Sequence, residues 1–409
     1  MKTSLFVFAA MLAAAFGLTN SVQAQYGPGP ASPYGGYPGM PGMAAPGMVA
    51  PGMGGPGMGG PGMGAPGMAM PVNYGPAAQA PMAMPPEQAP ASYVEEDCCE
   101  PGYGCNKWFG FGEFLYLRAR DSEVAWAVPI NGATDADPLG RPPVQDGRVG
   151  VADLDYQPGY RFGFGRILNE ASTIGATYTE WQGNTHDVLG TNAPNVLRPL
   201  VTHPSTFNAA SDYLDGTANY GIRFKTIDVD YHNLFAYCCD YQIGYTLGVR
   251  YAELKQHFRA DFAGNGTEFV DTNVNFYGAG LKAGLDGERY SYNRNLFVYG
   301  KTFLSVLGGE SRANYLGFSP TAINNSLGNT SWKAGRMVTI YDLELGAGWQ
   351  NDCGNVRLSI GYMYSTWCNI TRTNEWINSV QHNNFVDQSD NFNGFMTFDG
   401  FVSRLEIRW

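Results

Sequence analysis

The stretch Tyr241-Gln242-Ile243-Gly244-Tyr245-Thr246-Leu247-Gly248-Val249-Arg250-Tyr251-Ala252 decides the fold class. Its odd positions are Tyr241, Ile243, Tyr245, Leu247, Val249 and Tyr251, all apolar or aromatic. Its even positions are small or polar, with Gln242, Thr246 and Arg250 between glycines and an alanine. A period of two is the spacing of a β-strand, whose successive side chains point to opposite faces. In a soluble sandwich the apolar face would pack into a core. In a membrane barrel it faces lipid, and the small polar face lines the lumen.

The same alternation recurs outward from this stretch. Tyr160, Phe162 and Phe164 alternate with Arg161, Gly163 and Gly165, and Ile227, Val229 and Tyr231 with Asp228, Asp230 and His232. Tyr277 to Leu285 alternates with Gly278, Gly280, Lys282 and Gly284. Tyr341, Leu343 and Leu345 alternate with Asp342 and Glu344, and Leu358, Ile360 and Tyr362 with Arg357, Ser359 and Gly361. Trp108–Arg118 and Leu296–Leu307 read as strands whose two faces sort less cleanly. The count is ten strands, or twelve if 124–128 and 149–152 add a hairpin to the barrel.

The connections separate barrel from sandwich. Short turns are expected near 169–170, 238–240, 286–295 and 351–354. Long connections are expected at 119–158, 182–221, 256–273, 309–336 and 368–395. Outer-membrane barrels put short turns on the periplasmic side and long loops outside, whereas a sandwich has no reason to sort loop length by parity. An even strand count leaves both ends of the barrel in the periplasm.

The full chain has 409 residues, 54 of them Gly, with 14% aromatic residues, 15% charged residues and a net charge of −11. The acidic balance, with no basic-aromatic patch, argues against a nucleic-acid partner. Lys2, the apolar run Leu5–Phe16 and the small-x-small site Val22-Gln23-Ala24 make 1–24 an export signal. Nothing after residue 24 supplies the run of about 18 apolar residues that a spanning helix needs. Residues 25–92 are almost wholly Gly, Pro, Met and Ala, with Pro at a period of five, and are expected to form a disordered tail. No His or Cys stands among those methionines to hold a soft metal, and no cofactor is expected. Residues 93–106 form a Cys-rich periplasmic segment ahead of the barrel at 107–409. The fold class is therefore all-β, a transmembrane antiparallel up-and-down barrel preceded by a tail.

The last strand ends on an aromatic, with Phe401, Leu405, Ile407 and Trp409 on one face and Arg404, Glu406 and Arg408 on the other. That pattern resembles the terminal strand that outer-membrane barrels present to the assembly machinery. Gly112-Glu113-Phe114-Leu115-Tyr116-Leu117-Arg118, 152–159, Gly175-Ala176-Thr177-Tyr178-Thr179 and 247–252 resemble the pore-forming outer-membrane family related to the Legionella major outer membrane protein. Porin-like relatives of it abound in planctomycete-type bacteria. The resemblance covers 108–409 and not the tail. It implies pore formation in the bacterial outer membrane, with lipid, the assembly machinery and small solutes as partners, and it supplies no site residues.

The alternation itself supplies the candidate pore lining. Arg161, Gln242, Arg250, Lys282, Arg357, Arg404 and Arg408 face inward, with Asp228, Asp230, His232, Asp342, Glu344 and Glu406. Such a set forms either a selective constriction or an ion-paired ladder that fills a small barrel. Inward glycines leave room for a narrow path. Asp228, Asp230 and His232 share a strand face, and a carboxylate beside His can activate water, but no nucleophile elbow, zinc helix or phosphate loop accompanies them. The expected function is passive passage of small hydrophilic solutes, not catalysis. The alternative is a structural or adhesive barrel without an open pore, acting through its outer loops and tail.

Seven Cys in an exported chain suggest disulfides among Cys98, Cys99, Cys105, Cys238, Cys239 and Cys353, all on the periplasmic side. Cys368 falls at the outer end.

The tail has no apolar periodicity with which to dock. Deleting 25–92 is expected to leave assembly intact, seen as an unchanged heat-dependent shift in gel mobility. A chain that no longer folds would make the tail a structural part.

Overall fold

The computed structural model describes residues 107–132, 144–203, 213–238, 240–263, 267–318, 326–352, 354–383 and 392–409. Their strands are β1 (Trp108–Arg120), β2 (Val124–Ile130), β3 (Gly150–Ala152), β4 (Gln157–Ile167), β5 (Ser172–Gly190), β6 (Val196–Pro199) and β7 (Asp215–Tyr237). After them come β8 (Tyr241–Ala263), β9 (Thr267–Tyr290), β10 (Leu296–Phe318), β11 (Ser326–Gln350) and β12 (Val356–Ile370). Helix α1 (Thr373–Asn383) precedes the final strand, β13 (Gly394–Arg408).

Ten strands close into one antiparallel barrel in the order β1-β13-β12-β11-β10-β9-β8-β7-β5-β4. The hairpin at 124–152 forms but does not make the barrel twelve-stranded. β2 and β3 instead join β6 in a separate sheet of order β3-β2-β6. The barrel seam is β1 on β13. There the amides of Lys107 and Trp108 both donate to the Trp409 carbonyl at 2.9 Å, and the Trp409 amide donates back to Trp108. No helix among the described residues is long and apolar enough to cross a membrane, and a closed sheet satisfies every backbone group without one.

The molecule is inside out relative to a soluble protein. Leu247, Val249, Leu281, Ile360 and Phe401 lie exposed on the outer wall, while Asp228, Arg250, Lys282 and Glu344 are buried within it. Phe401, Leu405, Ile407 and Trp409 all take the outer wall. On β8 the apolar band runs from Tyr241 to Tyr251, and about 9–11 residues suffice for a tilted strand to cross the hydrocarbon. Aromatic residues edge the band, with Trp108, Trp349 and Trp409 toward the turn end and Tyr160, Tyr178, Tyr251 and Tyr277 toward the other.

Short turns follow β4, β7, β9 and β11, all at the end that carries Trp108 and Trp409. The connections at the far end differ from expectation. Residues 256–273 and 309–336 are mostly strand, because β8 to β11 run for 23 to 25 residues each, about twice the membrane crossing. Polar residues on their outer face read as loop, whereas their inner face stays apolar and buries Phe258, Phe262, Val270 and Tyr315.

Val249→Arg, in mid-band, is expected to cost about 2–4 kcal/mol in urea unfolding of the vesicle-embedded barrel. The same change at His257, on the same face but above the band, is expected to cost little. Equal losses would misplace the membrane on this wall.

Candidate functional site: a charged chamber beneath an aromatic roof

The inward positions of the membrane-spanning half enclose a cavity of about 260 Å³. Its polar wall includes Arg161, Asp228, Asp230, His232, Arg250 and Lys282 from one side, and Asp342, Glu344, Arg357, Arg404, Glu406 and Arg408 from the other. Gln242 points inward below it, within 3.4 Å of the Tyr290 hydroxyl, and is not part of the lining. Sequence reading missed Asp286 and Glu288, which sit on β9 rather than in the turn assigned to them, and Lys301 on β10. It also missed Glu113, buried behind Arg161 on β1.

These charges brace the barrel across its width. Arg161 on β4 donates to Glu113 on the neighbouring strand at 3.0 Å and to Glu344 on β11 at 3.3 Å, four strands away around the ring. Arg250 on β8 grips Asp228 with two bonds of 2.7 and 2.8 Å and reaches Asp342 on β11 at 2.6 Å. Lys282 bridges Asp228 and Asp230 at 2.8 and 2.6 Å. Arg357 on β12 meets Glu288 on β9 at 2.6 Å, and Arg404 and Arg408 share Glu406. His232 on β7 lies 3.1 Å from Asp286 on β9, so its ring is held by a carboxylate two strands away across β8.

Inward glycines do not leave the open path that their small size suggests. A Cβ at Gly163 would overlap the Phe111 ring, one at Gly284 would overlap Phe303, and one at Gly348 would overlap Phe297. Gly346 and Gly361 are both covered by Tyr299. Each ring covers the glycine directly across the ladder, as in the aromatic cover of strand glycines. Each ring in turn carries a cation. Arg404 stands 3.6 Å from the Phe111 centroid, Arg357 4.4 Å from Phe297, Lys282 4.6 Å from Phe303 and Lys301 4.7 Å from Tyr299. Glycine, ring and cation thus repeat four times around the wall. The quadrupole of each ring offsets part of the cost of holding a cation away from bulk water.

The chamber ends toward the far side at an aromatic roof. Trp181, Phe224, Trp367 and Phe398 are buried, with ring centroids 4.7 to 6.1 Å apart. Above them α1 plugs the projecting half of the barrel with Trp376, Ile377 and Val380. Gln256 on β8 latches its start, donating to the Thr371 carbonyl at 2.8 Å and accepting from the Thr373 amide and hydroxyl at 3.1 Å. Gln381 latches its end, donating to the carbonyls of Leu200 and Thr202. Asp121, at a left-handed φ of 59° just past β1, gives its carbonyl to Arg372, and burial pushes its carboxyl above the usual range.

Of the disulfide candidates, Cys98, Cys99, Cys105, Cys239 and Cys353 lie outside the described residues. Cys238, which is described, is a free thiol, as is Cys368 at the far end of β12.

Residues 104–401 match the sequence model of the Legionella pneumophila major outer membrane protein precursor. No curated protein sequence matches the chain. Among solved structures, the outer membrane protease OmpT from Escherichia coli is 13% identical over 74% of this chain and 97% of its own, with a TM-score of 0.40. The Ralstonia pickettii toluene transporter TbuX is 11% identical over 74% of this chain and 90% of its own, with a TM-score of 0.31. Likenesses at these scores carry no weight for function.

Alanine at Gly284 is expected to lift Phe303 off the wall and unseat Lys282, costing about 1–3 kcal/mol. Alanine at Gly112, where nothing lies within 4 Å of the added carbon, is the matched control. Equal tolerance in vesicle unfolding would mean the ring cover is not needed.

Proposed function

The chain belongs to the family of the Legionella pneumophila major outer membrane protein, and from that premise we propose that it is a gated, narrow channel for small hydrophilic solutes. The observation that carries the reading is the charged chamber at membrane height, separated from the far side by the aromatic roof and the α1 plug. Burying so many charges costs free energy even when they are paired. A barrel needing only rigidity could fill the same space with small apolar side chains. Passage would require the roof rings to part and the cross-lumen pairs to exchange partners with the solute. The chamber is read as solute-facing rather than catalytic, because His232 and Asp286 lie beneath the buried roof of Trp181, Phe224, Trp367 and Phe398, away from the far side where a large substrate would arrive.

A second reading rests on a separate observation. The projecting halves of β8 to β11 form a tall wall packed around its own core, which suits a surface platform with no open pore.

Planar-bilayer recording distinguishes the two. The full chain is expected to rest closed with rare small openings. The Trp367→Ala, Phe398→Ala variant, checked for folding by its heat-dependent gel shift, is expected to raise the mean current by an order of magnitude. A folded double variant that stays insulating would sink the channel and leave the platform.

A further inference from the structure

The outer wall changes chemistry within two rows above the apolar band. One row of paired residues reads Phe162, Tyr178, Ile227, Tyr251. Two residues farther out, the row reads Tyr160, Glu180, Lys225, Glu253, Tyr277, Glu310. Two residues beyond that, it reads Gln182, Arg223, Lys255, Asn275, Arg312, Lys333. The last row holds four cations and no carboxylate, in a chain whose net charge is −11.

The carboxylates beneath do not neutralise it. Glu180 alone receives the hydroxyls of Tyr160 and Tyr178, the Arg223 guanidinium and, at 3.8 Å, the Lys225 ammonium. Glu253 pairs with Lys255, and Glu310 is shared by Arg312 and Lys333. Three carboxylates thus face five cations. The four cations of the outermost row keep 39% to 63% of their side-chain surface open.

Placement gives the row its partner. With strands about 4.8 Å apart, Arg223 to Lys333 spans roughly 20 Å along the pairing direction. Strand tilt makes that direction climb, so Arg223 and Lys255 stand just above the Tyr251 and Tyr277 belt while Arg312 and Lys333 stand farther from the membrane. Headgroups of the outer leaflet begin where the apolar band ends. An anion meeting all four cations must therefore carry one charge at the headgroup level and others above it, joined to acyl chains below. We infer that the row docks a phosphorylated glycolipid of the lipopolysaccharide type, its lipid-proximal phosphate on Arg223 and Lys255 and phosphates of its sugar core on Arg312 and Lys333. Tyr160, Tyr178, Tyr251 and Tyr277 form the floor on which its sugar and upper acyl carbons rest.

The test uses the full chain in detergent, titrated with lipopolysaccharide, with the same material stripped of phosphate, and with inorganic phosphate. Thermal stability of the barrel is expected to rise with intact lipopolysaccharide only, and the rise should shrink with added salt. Neutralising the row as Arg223→Gln, Lys255→Gln, Arg312→Gln, Lys333→Gln is expected to weaken binding by about a hundredfold or more. The control Arg166→Gln, Arg289→Gln removes outward cations at the turn end and should keep full binding. Equal stabilisation by the phosphate-free lipid would overturn the assignment, as would a neutralised row that still binds. Stabilisation by inorganic phosphate at equal concentration would make it a bare anion site and overturn the glycolipid.

Discussion

Closure of the sheet is the constraint from which the rest follows. In hydrocarbon an unpaired backbone amide or carbonyl has no water to turn to, so the first and last strands must meet. They do so along β1 and β13, sealed by the bonds of Trp409 at the very end of the ladder. Ten strands make a narrow ring. In a ring of that size, long side chains from well-separated strands reach one another across the lumen, as Arg161 and Glu344 do. A wider barrel would leave the same residues facing water.

Narrowness also explains the aromatic lining. An upright phenylalanine at position 303 or 111 would occupy the lumen centre. Drawn onto a glycine it stays at the wall, and its ring becomes a seat for Lys282 or Arg404. Ring and cation are each held by the other, and the carboxylates that complete the network are held in turn by the cations. The chamber is therefore one coupled unit. Removing a single carboxylate such as Asp228 would leave both Arg250 and Lys282 short of a partner in a buried setting, which is costlier than the pair itself is worth.

Much of this was legible in the sequence, and the illegible part has a physical reason. Strict alternation in 241–252 and 356–362 separates the lipid face from the inward face, because one face must be apolar there. Alternation blurred in 108–118 and 296–307, where Phe109, Phe111, Phe297 and Phe303 put aromatics on the inner face as well. That blur hid Glu113 and Lys301, and it marked the two strands that carry the ring-on-glycine stacks. Inward glycines suggested empty space because composition cannot reveal which ring lies over them. The projecting halves of β8 to β11 read as loops because their outer face meets water rather than lipid. The roof and the α1 plug join residues far apart in sequence, such as Trp181 with Phe398, and no local pattern announces them.

The length of those four strands has a consequence for how the molecule responds to its surroundings. One uninterrupted hydrogen-bonded ladder passes through two solvents. Below, in lipid, an apolar side chain gains nothing by hiding from its surroundings, and cohesion comes from backbone bonds and ion pairs. Above, in water, Phe258, Phe262 and Tyr315 are gathered by the hydrophobic effect. Cooling weakens that second force and leaves the first largely untouched. Because β8 to β11 have no joint between the two zones, loosening of the upper core is transmitted down the same strands to the wall that holds the charges. The barrel is in that sense a single lever with its two arms in different media.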